Sequence, residues 1–349
     1  MANLIIINDK IYGDSIGNLN KIFYETAGKK SKIYTLVYDK GNMNLKLEGY
    51  VIKGVRFPFT SGWYLNYRFQ NIIFRRFIDQ IGSDRNAIII YASQQIRPFN
   101  LEMESVIVHD LIPLRYPNYS NKVVTSILKK NLEHYRKLPV IATVSHFTKG
   151  NLQEYGFDSK IDVIYNPISD EYRYLNQKSS LRKKLGLPED KILVLSVSAN
   201  YPWKNLNLLK SAMDILGPDF KLIRVGSGVG DSINFNRISN EMLNQLYNAC
   251  DVLILPSSYE GFGIPLVEGM AAGIPVVASD IEVFHEVGGD AVSYTSIDPE
   301  GIARAVKEAV SSSDEMRTRG INRSKLFNAD NFKARVSSFI EDLLNAYRS

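Results

Sequence analysis

The sequence predicts an α/β protein of two doubly wound parallel sheets, and three observations carry the prediction. Short runs rich in Ile and Val alternate with longer amphipathic stretches along all 349 residues, the pattern of βα units. That length exceeds the usual single domain and suits two cores of roughly 150 to 180 residues each. A composition of 45% apolar, 23% charged and 11% aromatic residues excludes disordered and fibrous classes.

In chain order, the strand candidates of the first half are 4–8, 32–37, 87–91, 105–109, 140–144 and 162–165. Those of the second half are 191–197, 221–225, 252–255, 275–278 and 291–294, with helical patterns near 205–216, 239–249, 264–272 and 299–311. The joint falls at Asn166-Pro167-Ile168-Ser169, where a strand ends in turn residues. The expected organisation is one domain over 1–168, a second over 169–330, and a closing helix over 331–349. Val336, Phe339, Ile340, Leu343 and Leu344 give that helix one apolar face.

One cysteine, Cys250, excludes an internal disulfide framework, and no Cys/His grouping has zinc spacing. The N-terminus lacks a basic leader and no apolar run reaches membrane-spanning length, so the expected setting is cytoplasmic, with any membrane work done from the surface. The net charge of +5 conceals a division. Residues 1–170 carry 22 Lys and Arg against 15 Asp and Glu, a net of +7, whereas 171–349 carry 20 against 22, a net of −2. The basic half is also aromatic, with Trp63-Tyr64-Leu65-Asn66-Tyr67-Arg68-Phe69, Phe74-Arg75-Arg76-Phe77, and later Lys129, Lys130, Arg136 and Lys137. Such a surface suits anionic headgroups, phosphorylated acceptors or nucleic acid; a solvated helix face above a core of aromatics is the competing reading.

The most informative segment runs from Leu255 to Val277 and reads strand, glycine loop, helix, tight turn, strand. Pro265 suits the first helical position, Gly261 and Gly263 let the backbone approach a ligand, and the free amides of the helix start favour a diphosphate. Glu260 projects from the loop and Glu268 from the first helical turns. Carboxylates beside a diphosphate repel it and instead accept hydrogen bonds from hydroxyls, which points to a sugar and a ribose.

Glu260-Gly-Phe-Gly-Ile-Pro-Leu-Val-Glu268, with the following Gly-Ile-Pro-Val-Val-Ala-Ser, resembles the signature of the retaining GT-B glycosyltransferases of family 4. Val108-His109-Asp110-Leu111-Ile112-Pro113-Leu114, Val144-Ser145-His146-Phe147-Thr148-Lys149, Pro202-Trp203-Lys204-Asn205-Leu206 and Leu246-Tyr247-Asn248-Ala249-Cys250-Asp251 are similar to further motifs of that family in the same order. The resemblance implies GT-B architecture: two facing Rossmann-like domains, the first for the acceptor, the second for a nucleotide-sugar donor, with the C-terminal helix crossing back to the first. It implies that Lys204 pairs with the donor diphosphate, that Glu268 accepts from the ribose hydroxyls, and that Glu260 contacts the donor sugar. Amides around Gly261, Phe262, Gly263 and Ile264 serve sugar and phosphate, and His109, at a strand's carboxyl end, faces the reacting sugar.

The sequence departs from the family pattern in two places. Many relatives carry an arginine six residues before the motif lysine, where this chain has Ser198. The N-terminal glycine loop is atypical, with Gly13 or Gly17 as its counterpart and Gly17 the better placed. Gly226-Ser227-Gly228-Val229-Gly230 follows a strand, but Asp231 stands where a dinucleotide fingerprint requires glycine, so close chain packing replaces an NAD reading.

The expected activity is hexosyl transfer from a UDP- or GDP-linked sugar to a hydroxyl acceptor with retention at the anomeric carbon. The acceptor class is a glycan or lipid-linked sugar, and the basic first domain faces the inner surface of the cell membrane. No cofactor beyond the donor is expected, no Asp-x-Asp occurs to hold a divalent metal, and no nucleic-acid partner is expected. Two readings compete: a nucleotide-sugar epimerase or glucan phosphorylase of the same fold, and a non-catalytic module binding nucleic acid or lipid.

Overall fold

The computed structural model describes residues 4–7, 26, 33–37, 51–54, 88–95, 98, 102–119 and 122–347. The chain divides into two units, Met1–Tyr165 with Asp330–Ser349, and Asn166–Ala329. The aromatic basic stretch 63–77 and Gly13 and Gly17 lie outside the described residues.

In the first unit, β1 (Leu4–Ile7), β2 (Ile33–Val37), β3 (Val51–Gly54), β4 (Ile88–Tyr91), β5 (Glu104–Val108), β6 (Val140–Thr143) and β7 (Lys160–Val163) form one sheet in the order β3-β2-β1-β4-β5-β6-β7. Every described pairing in it is parallel. All four residues of β4 and all five of β5 are buried, as strands covered on both faces must be. Helices α1 (Ile112–Arg115), α2 (Lys122–Tyr135) and α3 (His146–Glu154) follow β5 and β6, and Leu128, Leu132, Tyr135 and Leu152 pack with Ile89, Val106 and Ile141. Ser145 caps α3 by accepting from the Thr148 amide at 3.0 Å.

Two strands depart from the sequence pattern, and both are sheet edges. β7 begins two residues before the expected 162, because Val140 pairs with Lys160 and Thr143 with Val163. β3 has no candidate in the sequence reading at all. An edge strand is covered on fewer sides, so its residues need not be a continuous apolar run.

The second unit contains α4 (Lys178–Leu185), β8 (Ile192–Val197), a 3₁₀ turn Pro202–Lys204, α5 (Leu206–Leu216), β9 (Phe220–Val225), β10 (Ser232–Phe235) and α6 (Asn240–Ala249). It continues with β11 (Val252–Leu255), α7 (Ile264–Ala272), β12 (Val276–Ser279), α8 (Glu282–Gly288), β13 (Ser293–Thr295), α9 (Pro299–Ser311) and α10 (Ser313–Ser324). Its parallel sheet has the order β10-β9-β8-β11-β12-β13. Asn234 sits in the edge strand β10 and pairs with Arg224 of β9. Ile302, Ala305, Val306 and Ala309 form the buried stripe of α9 and close the core over Val194, Val252, Ile254 and Val277.

In both sheets the chain builds outward from a central strand and then returns to its other side, so the topology reverses between β1 and β4 and again between β8 and β11. Open α/β sheets bind ligands beyond the carboxyl ends of the strands at such a point. The last helix, α11 (Ala329–Ala346), buries Phe332, Val336, Phe339, Ile340 and Leu343. It is held to β7 by Lys160 Nζ to Asp342 at 2.6 Å, and Arg335 lies 4.6 Å above the Tyr165 ring. Beyond its end, the Tyr347 hydroxyl donates to the Glu104 carbonyl and accepts from the Glu104 amide.

Candidate active site

Two loops leave the carboxyl ends of β8 and β11, the strands that flank the reversal of the second sheet. Backbone and side-chain bonds tie them together: the Ser258 amide donates to the Trp203 carbonyl at 2.8 Å and Asn205 Nδ2 to the Pro256 carbonyl at 2.7 Å. Asn205 has a φ of 51°, the left-handed value with which it ends the 3₁₀ turn and opens α5. Trp203 is buried and stacks on the exposed Tyr201 with ring centroids 4.6 Å apart. Lys204 therefore leaves a turn that is fixed at both ends.

The Lys204 ammonium donates to Glu260 Oε1, and Ser257 Oγ donates to the same oxygen at 2.8 Å. Both side chains of the pair are mostly covered, at 17% and 15% exposure. An ammonium carries three donors, so one bond to Glu260 leaves capacity for a second anion. A carboxylate fixed by a cation and a hydroxyl is in turn an acceptor held in one orientation.

Gly263 caps α7 with a φ of 91°, and a Cβ there would lie 2.7 Å from Phe284 Cε1. Both the conformation and the close approach demand glycine. The left-handed cap starts the helix at Ile264 and puts Pro265 in the second position, so the expected first-position proline is corrected by one residue. The Ile264 amide consequently remains at the helix tip as a donor. Phe262 is buried with its ring 5.6 Å from that of Phe327, edge to face, so its side chain belongs to the core. Gly261 is also buried, and what this segment offers a ligand is its backbone.

Glu268 lies in α7 and is 5% exposed. It does not touch Lys204 or Glu260; its Oε2 accepts from the Tyr247 hydroxyl at 2.8 Å, and Tyr172 bonds to the same carboxyl. Burial raises its pKa to about 7, with the two hydroxyl donors opposing part of the rise. Burial and the neighbouring carboxylate push both tyrosine hydroxyls up. The sequence reading missed both tyrosines as site residues. Tyr247 left a trace, because it shares the covered side of α6 with Asn244 and Asn248; Tyr172 left none.

Ser198 follows β8 directly and is partly buried, and its Oγ accepts from Arg224 Nη1 at 3.2 Å. His109 belongs to the first unit and follows β5. Its Nε2 lies 2.8 Å from the Ala92 carbonyl, which can only accept, so Nε2 carries a proton and Nδ1 is the acceptor nitrogen of the neutral ring. Gln94, also absent from the sequence reading, fixes this turn: its Oε1 accepts from the His109 amide at 3.1 Å and its Nε2 donates to the Asp110 carbonyl at 2.9 Å. Among the described residues no group of three or more His, Cys, Asp or Glu is placed to hold a metal ion. The described helices include none long and apolar enough to cross a membrane.

Residues 177–327 match the family described as glycosyl transferases group 1. Over 261 residues the chain is 28% identical to the O-antigen chain mannosyltransferase RfbU of Salmonella typhimurium, covering 69% of this chain and 70% of that protein. Among solved structures it is similar to the sucrose-phosphate synthase of Thermosynechococcus elongatus, with a TM-score of 0.81, 16% identity, and 99% and 100% of the two chains covered. It is likewise similar to Anabaena Alr3699/HepE in complex with UDP and glucose, with a TM-score of 0.76, 14% identity and coverage of 98% and 100%.

Proposed function

We propose that this chain is a group 1 glycosyltransferase with the GT-B fold and that its second unit holds a nucleotide-sugar donor at the β8 and β11 strand ends. The observation that carries the donor site is the convergence there of Lys204, Glu260 and the amide tip of α7 at the topological reversal. The activity is transfer of a hexose to a hydroxyl of a glycan acceptor.

In this reading Lys204 and the amides at 261–264 meet the diphosphate, Glu260 accepts from hydroxyls of the donor sugar, and Glu268 accepts from the ribose. The bond from the anomeric carbon to the diphosphate oxygen breaks, and its electron pair stays with the diphosphate. Preorganised positive charge stabilises that leaving group without reorganisation. The acceptor oxygen bonds to the anomeric carbon from the same face, and its proton goes to the departing phosphate oxygen, which gives retention. Glu260 is engaged with Lys204 and Ser257, which supports its role as an oriented acceptor over that of a covalent nucleophile.

A thermal-shift panel of UDP-, GDP- and ADP-sugars tests the donor class, since a bound donor stabilises the fold by mass action. Lys204→Ala is expected to lower sugar transfer at least a hundredfold, a size typical of lost leaving-group stabilisation, and Glu268→Ala to lower it through weaker donor binding at the ribose. Wild-type turnover in both would remove the site assignment. The mannosyltransferase named above makes nucleotide-linked mannose the first donor sugar to assay.

The acceptor is proposed to be anionic and presented at a membrane surface. The net of +7 on residues 1–170 supports this, and so do the exposed Lys129, Lys130, Arg136 and Lys137 along and just after α2.

A further inference from the structure

Arg224, on β9, is 0% exposed, and among the described residues no carboxylate pairs with it. Its guanidinium is held instead by neutral acceptors. Nη1 donates to the Ser196 carbonyl at 3.1 Å, Ser196 Oγ at 2.8 Å and Ser198 Oγ at 3.2 Å; Nη2 donates to the Ser198 carbonyl at 2.7 Å and Nε to the Ser227 carbonyl at 3.3 Å. Burial lowers its pKa only to about 10, so the group remains a cation at neutral pH. An uncompensated buried charge is among the most costly features a fold can carry, and apolar side chains of similar volume pack such positions better.

Two further observations locate what the charge serves. The β9 end is pressed against Ser198: the Ser198 amide donates to the Val225 carbonyl at 3.2 Å, and Gly226, with a φ of 124°, would place a Cβ 2.3 Å from the Ser198 carbonyl oxygen. Only glycine permits this approach, so the contact between the guanidinium and Ser198 is built into the backbone. Ser198 Oγ accepts from the buried cation, so its own hydrogen is directed away from Arg224, and Ser198 is the last residue before the loop that carries Lys204. A hydroxyl that accepts from a cation is a stronger donor to an anion.

We propose that Arg224 is the second cation of the diphosphate seat and acts through Ser198, whose hydroxyl it polarises and aims so that it donates to the diphosphate of the donor. Arg224 is thus a positioning residue for the leaving group, and Ser198 is the group that touches it. This inference rests on the donor-site reading above.

The test measures affinity of the full chain for UDP, GDP and ADP by calorimetry, with the corresponding nucleosides as phosphate-free probes. Ser198→Ala and Arg224→Gln are each expected to weaken the diphosphate that binds best by about tenfold, the size of one lost charge-assisted bond, and to leave the nucleoside unchanged. The double variant should be no weaker than Arg224→Gln alone, since the two act as one unit. Ser198→Thr, which keeps the hydroxyl, should retain affinity within about threefold. A purely structural arginine would shift the melting temperature and leave these ratios alone. Diphosphate affinity within twofold of wild type in Ser198→Ala, or additive losses in the double variant, overturns the proposal. If Arg224→Gln does not fold, the contrast between alanine and threonine at 198 decides alone. A wild-type chain that binds none of the three diphosphates removes the donor-site reading and this inference with it; wild-type binding with unaffected variants removes only the inference.

Discussion

Burial holds the Glu268 carboxyl at about 7 against its ordinary 4.5, and the sign of the consequence follows from proton counting. Between those two values the folded chain keeps a proton that the unfolded chain releases, so stability falls as pH rises through the window and is flat in this group above it. The penalty at pH 8 is on the order of 3 kcal/mol. Glu268→Gln removes it, so the variant should gain melting temperature over wild type as pH goes from 5 to 8; a constant difference across that range would refute the assignment. The same titration governs binding. An ionised carboxylate accepts from the ribose and a protonated one accepts less well, so nucleotide affinity should rise from pH 6 to pH 8 with release of a proton, measured as a buffer-dependent binding enthalpy. Glu260 and Glu268 stand out by their spacing within one motif, and Lys204 by the family resemblance of its own segment. The hydroxyls that oppose part of the rise at Glu268 come from Tyr172 and Tyr247, on other segments, and no local pattern names them.

At the scale of elements, α7 shows how much one cap decides. Gly263→Ala forces a side chain into a left-handed position already occupied by Phe284, a cost of roughly 1–3 kcal/mol if the helix start survives. The expected result is a lower urea midpoint together with lost nucleotide binding, because the amide tip moves; unchanged affinity would show that the tip does not contact the ligand. The helix itself was readable to within one residue of its start, because the glycine, proline and apolar signals coincide. The edge strands β3, β7 and β10 were not, since less coverage leaves less pattern. Helix α11 poses a different question. Truncation after 329 strips away Phe332, Val336, Phe339, Ile340 and Leu343 together with the Tyr347 anchor on Glu104. Loss of that much apolar cover should leave an aggregating protein, visible by size-exclusion chromatography; a monomer of wild-type stability would show that the helix is dispensable to the first unit.

At the scale of the whole molecule, the division of charge makes its own prediction. A chain with +7 on its first 170 residues and −2 on the rest should bind vesicles containing anionic lipid through the first part, and lose them as salt shortens the screening length. Lys129→Glu, Lys130→Glu and Lys137→Glu together should weaken vesicle binding while leaving nucleotide affinity unchanged, since all three side chains are exposed on the first unit. Binding that ignores both salt and these substitutions removes the membrane-surface proposal and leaves the transferase intact. By itself the sequence determined the α/β class, most of the strand positions, five of the eleven described helices and the motif that carries two carboxylates, because periodicity and Gly/Pro punctuation are local properties of the chain. Only the tertiary structure decided that Lys204 and Glu260 hold each other, that Tyr172 and Tyr247 hold Glu268, and that Arg224 lies behind Ser198. Parallel strands bring together residues that are far apart in sequence, and the pairing register that does so is a property of the sheet.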